Sequence, residues 1–170
     1  MMPMNTPMAL ILKATIAPTG PEPAFGFYGF AQRQSGVLAF RRSVSGRIEI
    51  LLIKKRHSRN WGIPKGKLEP GLTLAENASK EAFEEAGVSG DTIGSAVGSY
   101  LDIKQSLDRA ILIEVSVFLL AVTAAAADWP ERAIRQVKWC SPEEASVLLH
   151  QPLLIQTCLI LARRLSLKTA

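Results

Sequence analysis

Gly66–Val88, GKLEPGLTLAENASKEAFEEAGV, places three carboxylates at the end of a helix whose own dipole repels them. Thr73 and Glu76 form a Thr-x-x-Glu capping box, so the helix is expected to begin at about Leu74. Gly87 supplies the left-handed residue that stops it. Glu81, Glu84 and Glu85 then fall in the last two turns, facing the negative pole. Acidic side chains are disfavoured there by roughly 0.3–1 kcal/mol each. At 100° per residue they also share one sector, with Glu81 and Glu85 as i,i+4 neighbours. Such a breach of local rules implies a bound cation, and a divalent metal is the simplest. The competing reading is an acidic surface helix with Leu74, Ala75, Ala78, Ala82 and Phe83 turned inward. That explains the amphipathicity but leaves three acids at the wrong pole.

The residues before this helix carry the opposite charge. Between Arg41 and Lys67 stand nine basic residues (Arg41, Arg42, Arg47, Lys54, Lys55, Arg56, Arg59, Lys65 and Lys67) against the single acid Glu49. Glu69, Glu76, Glu81, Glu84 and Glu85 follow. An isolated basic run usually marks a solvated face, but one adjoining clustered carboxylates suggests a polyanion held beside a metal. Carboxylates without a nearby histidine are hard oxygen ligands suited to Mg²⁺ or Mn²⁺ rather than zinc. Lys65 and Lys67 flank Gly66 in a loop punctuated by Gly62, Pro64, Pro70 and Gly71, and can meet phosphate as point charges. Metal, phosphate and a positioned carboxylate together describe hydrolysis of a phosphoanhydride.

The 170 residues, 48% of them hydrophobic, suit one globular domain with a full core. Residues 1–35, with Pro3, Pro7, Pro18, Pro21 and Pro23, read as a loosely attached N-terminal arm, leaving 36–167 as the domain. Strands are expected at Ser35–Arg41 and Ile48–Ile53 around a turn at Ser43–Arg47, then at Ile93–Ile103, Ala110–Thr123 and Gln136–Cys140. Trp61–Leu72 reads as loop. Ser141 caps a helix over Pro142–Leu149, and Pro152 to about Leu167 forms the last helix, with core packing as its default role. Strands interspersed with helices imply an α/β fold, a mixed sheet covered on both faces. Cys140 and Cys158 lack metal-ligand spacing and read as reduced, packed thiols of a cytoplasmic protein. No secretory signal is evident, and Glu114 interrupts the apolar run Ala110–Ala127, so no membrane partner is expected.

The same 23-residue stretch resembles the Nudix box: Gly, five residues, Glu, seven residues, then Arg-Glu-aliphatic-x-Glu-Glu-x-Gly-aliphatic. Gly66, Glu81, Glu84, Glu85, Gly87 and Val88 match in place, and Ala82 fills an aliphatic slot. Lys80 stands where the family has Arg, and Leu72 where it has the first Glu. The resemblance implies an α/β/α Nudix sandwich and Mg²⁺-dependent pyrophosphohydrolase chemistry. Carried over by position, it makes Glu81 and Glu85 metal ligands together with the Gly66 carbonyl, and Glu84 the proton acceptor. Lys80 keeps the charge of the family Arg but loses its bidentate fork, retaining Glu76 and Glu84 as i±4 neighbours.

The flanks resemble the diphosphoinositol-polyphosphate and diadenosine-polyphosphate phosphohydrolase group at Phe40–Ser43, Lys55–His57, Trp61–Pro64, Arg109, Asp128–Trp129, and Arg135 ahead of Trp139. That group implies a small polyanionic phosphate substrate. Arg41, Arg42, Lys54, Lys55, Arg56, Lys65, Lys67, Arg109 and Arg135 are the cations expected to grip it. Trp61 and Trp139 read as core, and with 6% aromatics few rings are free to stack a base. The alternatives are a nucleoside-triphosphate or nucleotide-sugar pyrophosphatase, and a non-catalytic domain that binds polyanions or, less expected, nucleic acid.

Overall fold

The computed structural model describes residues 32–105 and 110–166. Most of the expected N-terminal arm lies outside them. Its last four residues do not, because they already belong to the first strand.

Among the described residues nine elements follow in chain order: β1 (Gln32–Arg42), β2 (Ile48–Lys55), β3 (Lys65–Lys67), α1 (Leu74–Ala86), β4 (Val88–Gln105), β5 (Ala110–Ala125), β6 (Arg135–Cys140), α2 (Pro142–Leu148) and α3 (Pro152–Ser166). The sheet runs β4-β5-β1-β2-β6, with β3 added to β1. It is mixed: β1 lies parallel to β5, and every other pairing is antiparallel.

Each face of the sheet buries its own core. Leu38, Ile50, Leu52, Ile113, Val115 and Val117 meet Ala145, Leu149, Leu154, Cys158 and Leu161 from α2 and α3. On the other face Val37, Ala39, Leu51, Ile53, Phe118 and Leu120 meet Ala78, Ala82 and Ala86 of α1. Alternation along β1 and β2 assigns neighbouring residues to opposite layers, as the period of two requires. The result is the expected α/β/α sandwich.

Two elements depart from the sequence reading. The loop Trp61–Leu72 contains β3, because β1 and β2 diverge after three paired positions and the chain fills the gap. Ile53 bridges Gly62, the Val37 N–H donates to the Pro64 carbonyl, and Ser35 pairs with Gly66. Strand β4 begins at Val88 rather than Ile93. Its polar start (Ser89–Thr92) has weak strand propensity, but β5 offers a long backbone partner as far as Ala125.

Helix α1 is capped as the sequence implies. Thr73 accepts from the Glu76 N–H, Glu76 accepts from Thr73, and Gly87 sits at φ 67°. Phe83, expected inward, is 40% exposed, because α1 packs chiefly through its alanines. Among the described residues no helix is long and apolar enough to cross a membrane.

Candidate active site

The splayed strands and the end of α1 converge on one place. Filling the gap carries Lys65 and Gly66 beneath the carboxylate helix, and β6 starts alongside with Arg135 opposite Lys55.

Gly66 is required by contact rather than by backbone conformation. A Cβ at this position would overlap the Glu81 carboxylate. Glu81 is half-buried, and burial followed by the charge of Glu84 pushes its carboxyl above the usual range. Glu69 and Glu131 add to that repulsion. Among the described residues Glu81 forms no ion pair. A half-buried carboxylate in no ion pair, near acids as well as Lys80 and pressed on a backbone segment, is a hard-oxygen donor suited to a cation.

The other two carboxylates are held by the protein's own cations. Lys80 Nζ lies 2.6 Å from Glu84 and 3.0 Å from Glu69. These bonds push the lysine above its ordinary range, the Glu84 bond contributing most. Glu69, not Glu76, is therefore the second partner of Lys80, because Glu76 is spent on the cap. Glu85 is buried, accepts the Lys65 backbone N–H at 2.9 Å and pairs with Arg135 Nη2. Arg135 also donates from Nε to Glu131 at 2.7 Å, and the Glu131 N–H donates to the Glu84 carbonyl at 3.0 Å. Burial lowers the Arg135 guanidinium from its ordinary value.

With Glu84 and Glu85 so engaged, no group of three acidic, histidine or cysteine side chains among the described residues stands ready around a metal. The residues nevertheless fit a divalent ion by kind and place. Glu81 and Glu85 share one helix face, and Glu81 lies against Gly66.

A cleft of about 200 Å³ opens beside them, lined by Lys54, Lys55, Trp61, Lys65, Glu85 and Arg135 among others. Lys54, Lys55 and Lys65 line this cleft together with Glu85, the Lys54 amine lying over the Trp61 ring at 4.9 Å from its centroid. Burial lowers the Lys65 amine from its ordinary value. Lys67 is exposed on β3.

Arg41 and Arg42 are not brought here. Arg41 stands five residues beyond Gly36 on β1, roughly 17 Å along the strand. There it pairs with Glu49 at 2.8 Å and stacks on Trp139 at 4.0 Å from the ring centroid. Arg42 donates to the Gly46 carbonyl in the β1–β2 turn. Both serve the hairpin because pairing of β1 with β2 carries them away from β3. Arg56 leaves the cleft too, tying β2 to the loop before β6 through the Ala133 carbonyl. Arg109 lies outside the described residues.

Sequence reading did not single out Glu131, and valued Glu69 only as one of the acidic block. Neither belongs to a helical pattern, and only the folded loops bring them to the carboxylates.

Comparison with known proteins identifies the family. The NUDIX domain family matches residues 31–156. Nudix hydrolase 12, mitochondrial, of Arabidopsis thaliana is 32% identical over 103 residues, covering 58% of this chain and 51% of that protein. Diphosphoinositol polyphosphate phosphohydrolase 3-beta of Bos taurus is 31% identical over 128 residues, covering 73% of each. The chain spans only about half to two thirds of the first curated relatives it matches. In fold it is similar to an Ap4A hydrolase of C. elegans, solved as a binary complex, with a TM-score of 0.58 over 80% of this chain and 98% of that one, at 18% identity. The family match runs unbroken from the first strand into the last helix, with the carboxylate helix at its centre, and the chain belongs to the Nudix family.

Proposed function

We propose that this protein is a Mg²⁺-dependent pyrophosphohydrolase acting on a small polyphosphorylated substrate of the diphosphoinositol-polyphosphate or diadenosine-polyphosphate type. The observation that carries the reading is Glu81, a half-buried carboxylate that forms no ion pair among the described residues, lying against Gly66 beside a lysine-lined cleft. Glu81 and Glu85, with the Gly66 carbonyl, would hold the ion. When bound, Mg²⁺ or Mn²⁺ neutralises phosphate charge and lowers the pKa of water. Glu84 accepts the proton of the attacking water at its carboxylate, which Lys80 holds in place. Lys54, Lys55 and Lys65 bind the phosphates, and Lys67 extends the cationic rim.

A nucleobase-bearing substrate, as for a nucleoside-triphosphate or nucleotide-sugar pyrophosphatase, has one observation in its favour. A larger cleft of about 690 Å³ beside the end of α1 is lined by the exposed Phe83 and by Trp129, between Arg56 and Arg132. Placement in a reducing compartment such as the cytoplasm is supported by two free, buried cysteines.

The test is a panel of diphosphoinositol polyphosphates, diadenosine polyphosphates, nucleoside triphosphates and nucleotide sugars, with and without Mg²⁺, quantifying phosphate, AMP and pyrophosphate. Glu81→Gln is the informative variant, because no ion pair among the described residues is lost with it. It is expected to retain its melting temperature and to lose about 10²–10³-fold in kcat, the scale of one positioned catalytic carboxylate. Wild type inactive toward every anhydride would exclude the hydrolase reading.

A further inference from the structure

The family resemblance assigns Glu85 to a metal and Arg135 to phosphate, yet the structure joins the two in one largely buried pair, their side chains 7% and 13% exposed. Resting on the metal site proposed above, we infer that Arg135 is a tethered counter-ion that occupies Glu85 until a divalent ion replaces it, and then turns to grip the substrate.

The carboxylate of Glu85 has little freedom. One oxygen accepts the Lys65 backbone N–H at 2.9 Å and the other faces Arg135, so an incoming cation competes with the arginine for the carboxylate. The guanidinium is held from behind. Its Nε donates to Glu131, and Glu131 is fixed to α1 through the Glu84 carbonyl and to Arg135 through a backbone bond of 3.0 Å. Release from Glu85 therefore leaves Arg135 in the cleft rather than in solvent. The same cleft is lined by Lys54, Lys55 and Lys65. A freed Nη edge there presents N–H donors whose fork matches phosphate oxygens.

Charge compensation gives the physical reason. Glu84, Glu131 and Glu69 each raise the carboxyl of Glu81, one helical turn from Glu85. A buried Glu85 without a partner is strongly destabilising in such a field. Arg135 supplies the missing charge while the ion is absent. The arrangement makes binding ordered, since the phosphate grip is complete only after the ion has displaced the arginine. It also weakens the apparent metal affinity by the fraction of molecules in which Glu85 is free.

Mn²⁺ binding to the full chain, followed by electron paramagnetic resonance and calorimetry without substrate, tests this. Arg135→Gln is expected to bind Mn²⁺ about tenfold more tightly than wild type. Methylenediphosphonate, a non-hydrolysable diphosphate probe, should bind wild type far better with Mn²⁺ present, and Arg135→Gln should lose most of that gain. Equal Mn²⁺ affinity in the two proteins would overturn the exchange while leaving the metal site intact. Wild type that binds no Mn²⁺ would overturn the proposed function with it. A readout on wild type covers a variant that does not fold. The side-chain ¹⁵N signals of Arg135 should lose their protection when Mg²⁺ is added, and signals unchanged by saturating Mg²⁺ would refute the displacement.

Discussion

At the residue scale the chain shows how Lys80 finds an acidic partner although two members of the motif are replaced. Leu72 stands where the family pattern has an acid and Lys80 where it has Arg, so the expected ion pair cannot form from those positions. Glu69, three residues earlier, takes the place of the missing acid and meets Lys80 at 3.0 Å, while Lys80 holds Glu84. Buried Asn77 fixes this substitute by accepting the Glu69 backbone N–H and donating to Ser35. Exposed ion pairs add little to stability, so the effect is expected in the chemistry. Glu69→Ala should lower kcat about tenfold at nearly unchanged melting temperature, the scale of a lost supporting partner. Adding Leu72→Glu should restore most of that rate, which steady-state kinetics on the double variant checks. Gly66→Ala is predicted to be far more harmful, because its methyl would displace the Glu81 carboxylate. Mn²⁺ titration of that variant should show the site lost.

At the element scale, α1 is the part most fully written in local sequence. Its start, its stop and its acidic sector follow from Thr73, Glu76, Gly87 and the 100° period, all of which act within a few residues. Thr73→Ala should cost about 1 kcal/mol, as loss of an N-cap usually does, and lower the melting temperature by a few degrees. The Thr73 backbone N–H, then its hydroxyl, hold the Glu76 carboxyl below the ordinary glutamate value of 4.5. A depressed folded-state value means the contribution is present above pH 4.5 and fades as pH falls through the folded value. Thermal melts of wild type and Glu76→Gln should therefore differ at pH 7 and converge in acid. The strand β3 is the contrary case. Lys-Gly-Lys has no strand signature, and it pairs only because the divergence of β1 from β2 leaves backbone groups of Gln34–Gly36 needing partners. Phe83 errs for a related reason. A helical wheel gives an apolar sector, but how much of it is covered depends on the neighbour, and here the small alanines carry the contact.

At the scale of the whole molecule, the two cores separate structure from chemistry. The face under α2 and α3 holds both cysteines, and burial pushes Cys140 up to about 11 and Cys158 to about 12. At pH 8 only about a thousandth or less of either is thiolate, and thiolate is the reactive form. A thiol reagent should label neither in the native protein and both after denaturation, with a native rate at least a hundredfold slower. Early labelling of either would mean that α3 does not cover this face. The sheet also decides which cations belong to the site. Nine basic residues lie between Arg41 and Lys67 in the chain. A strand extends about 3.3 Å per residue, however, so the hairpin end of β1 is carried away from the carboxylates. Charge density along a sequence carries no information about the direction in which a strand runs. Arg135 illustrates the reverse, since it is distant in sequence and is delivered to Glu85 by the pairing of β2 with β6.

The sequence by itself determined the carboxylate helix, its caps, the alternation that gives each strand two faces, and hence the α/β/α layering. These rest on interactions within a turn or on periodicity, which short stretches encode. Only the tertiary structure decided which acids and bases meet: Glu69 with Lys80, Arg135 with Glu85, Glu81 against Gly66, and Arg41 and Arg42 elsewhere. Those pairings depend on where strands diverge and loops close, and that is set by the burial of both cores at once rather than by any local stretch of chain.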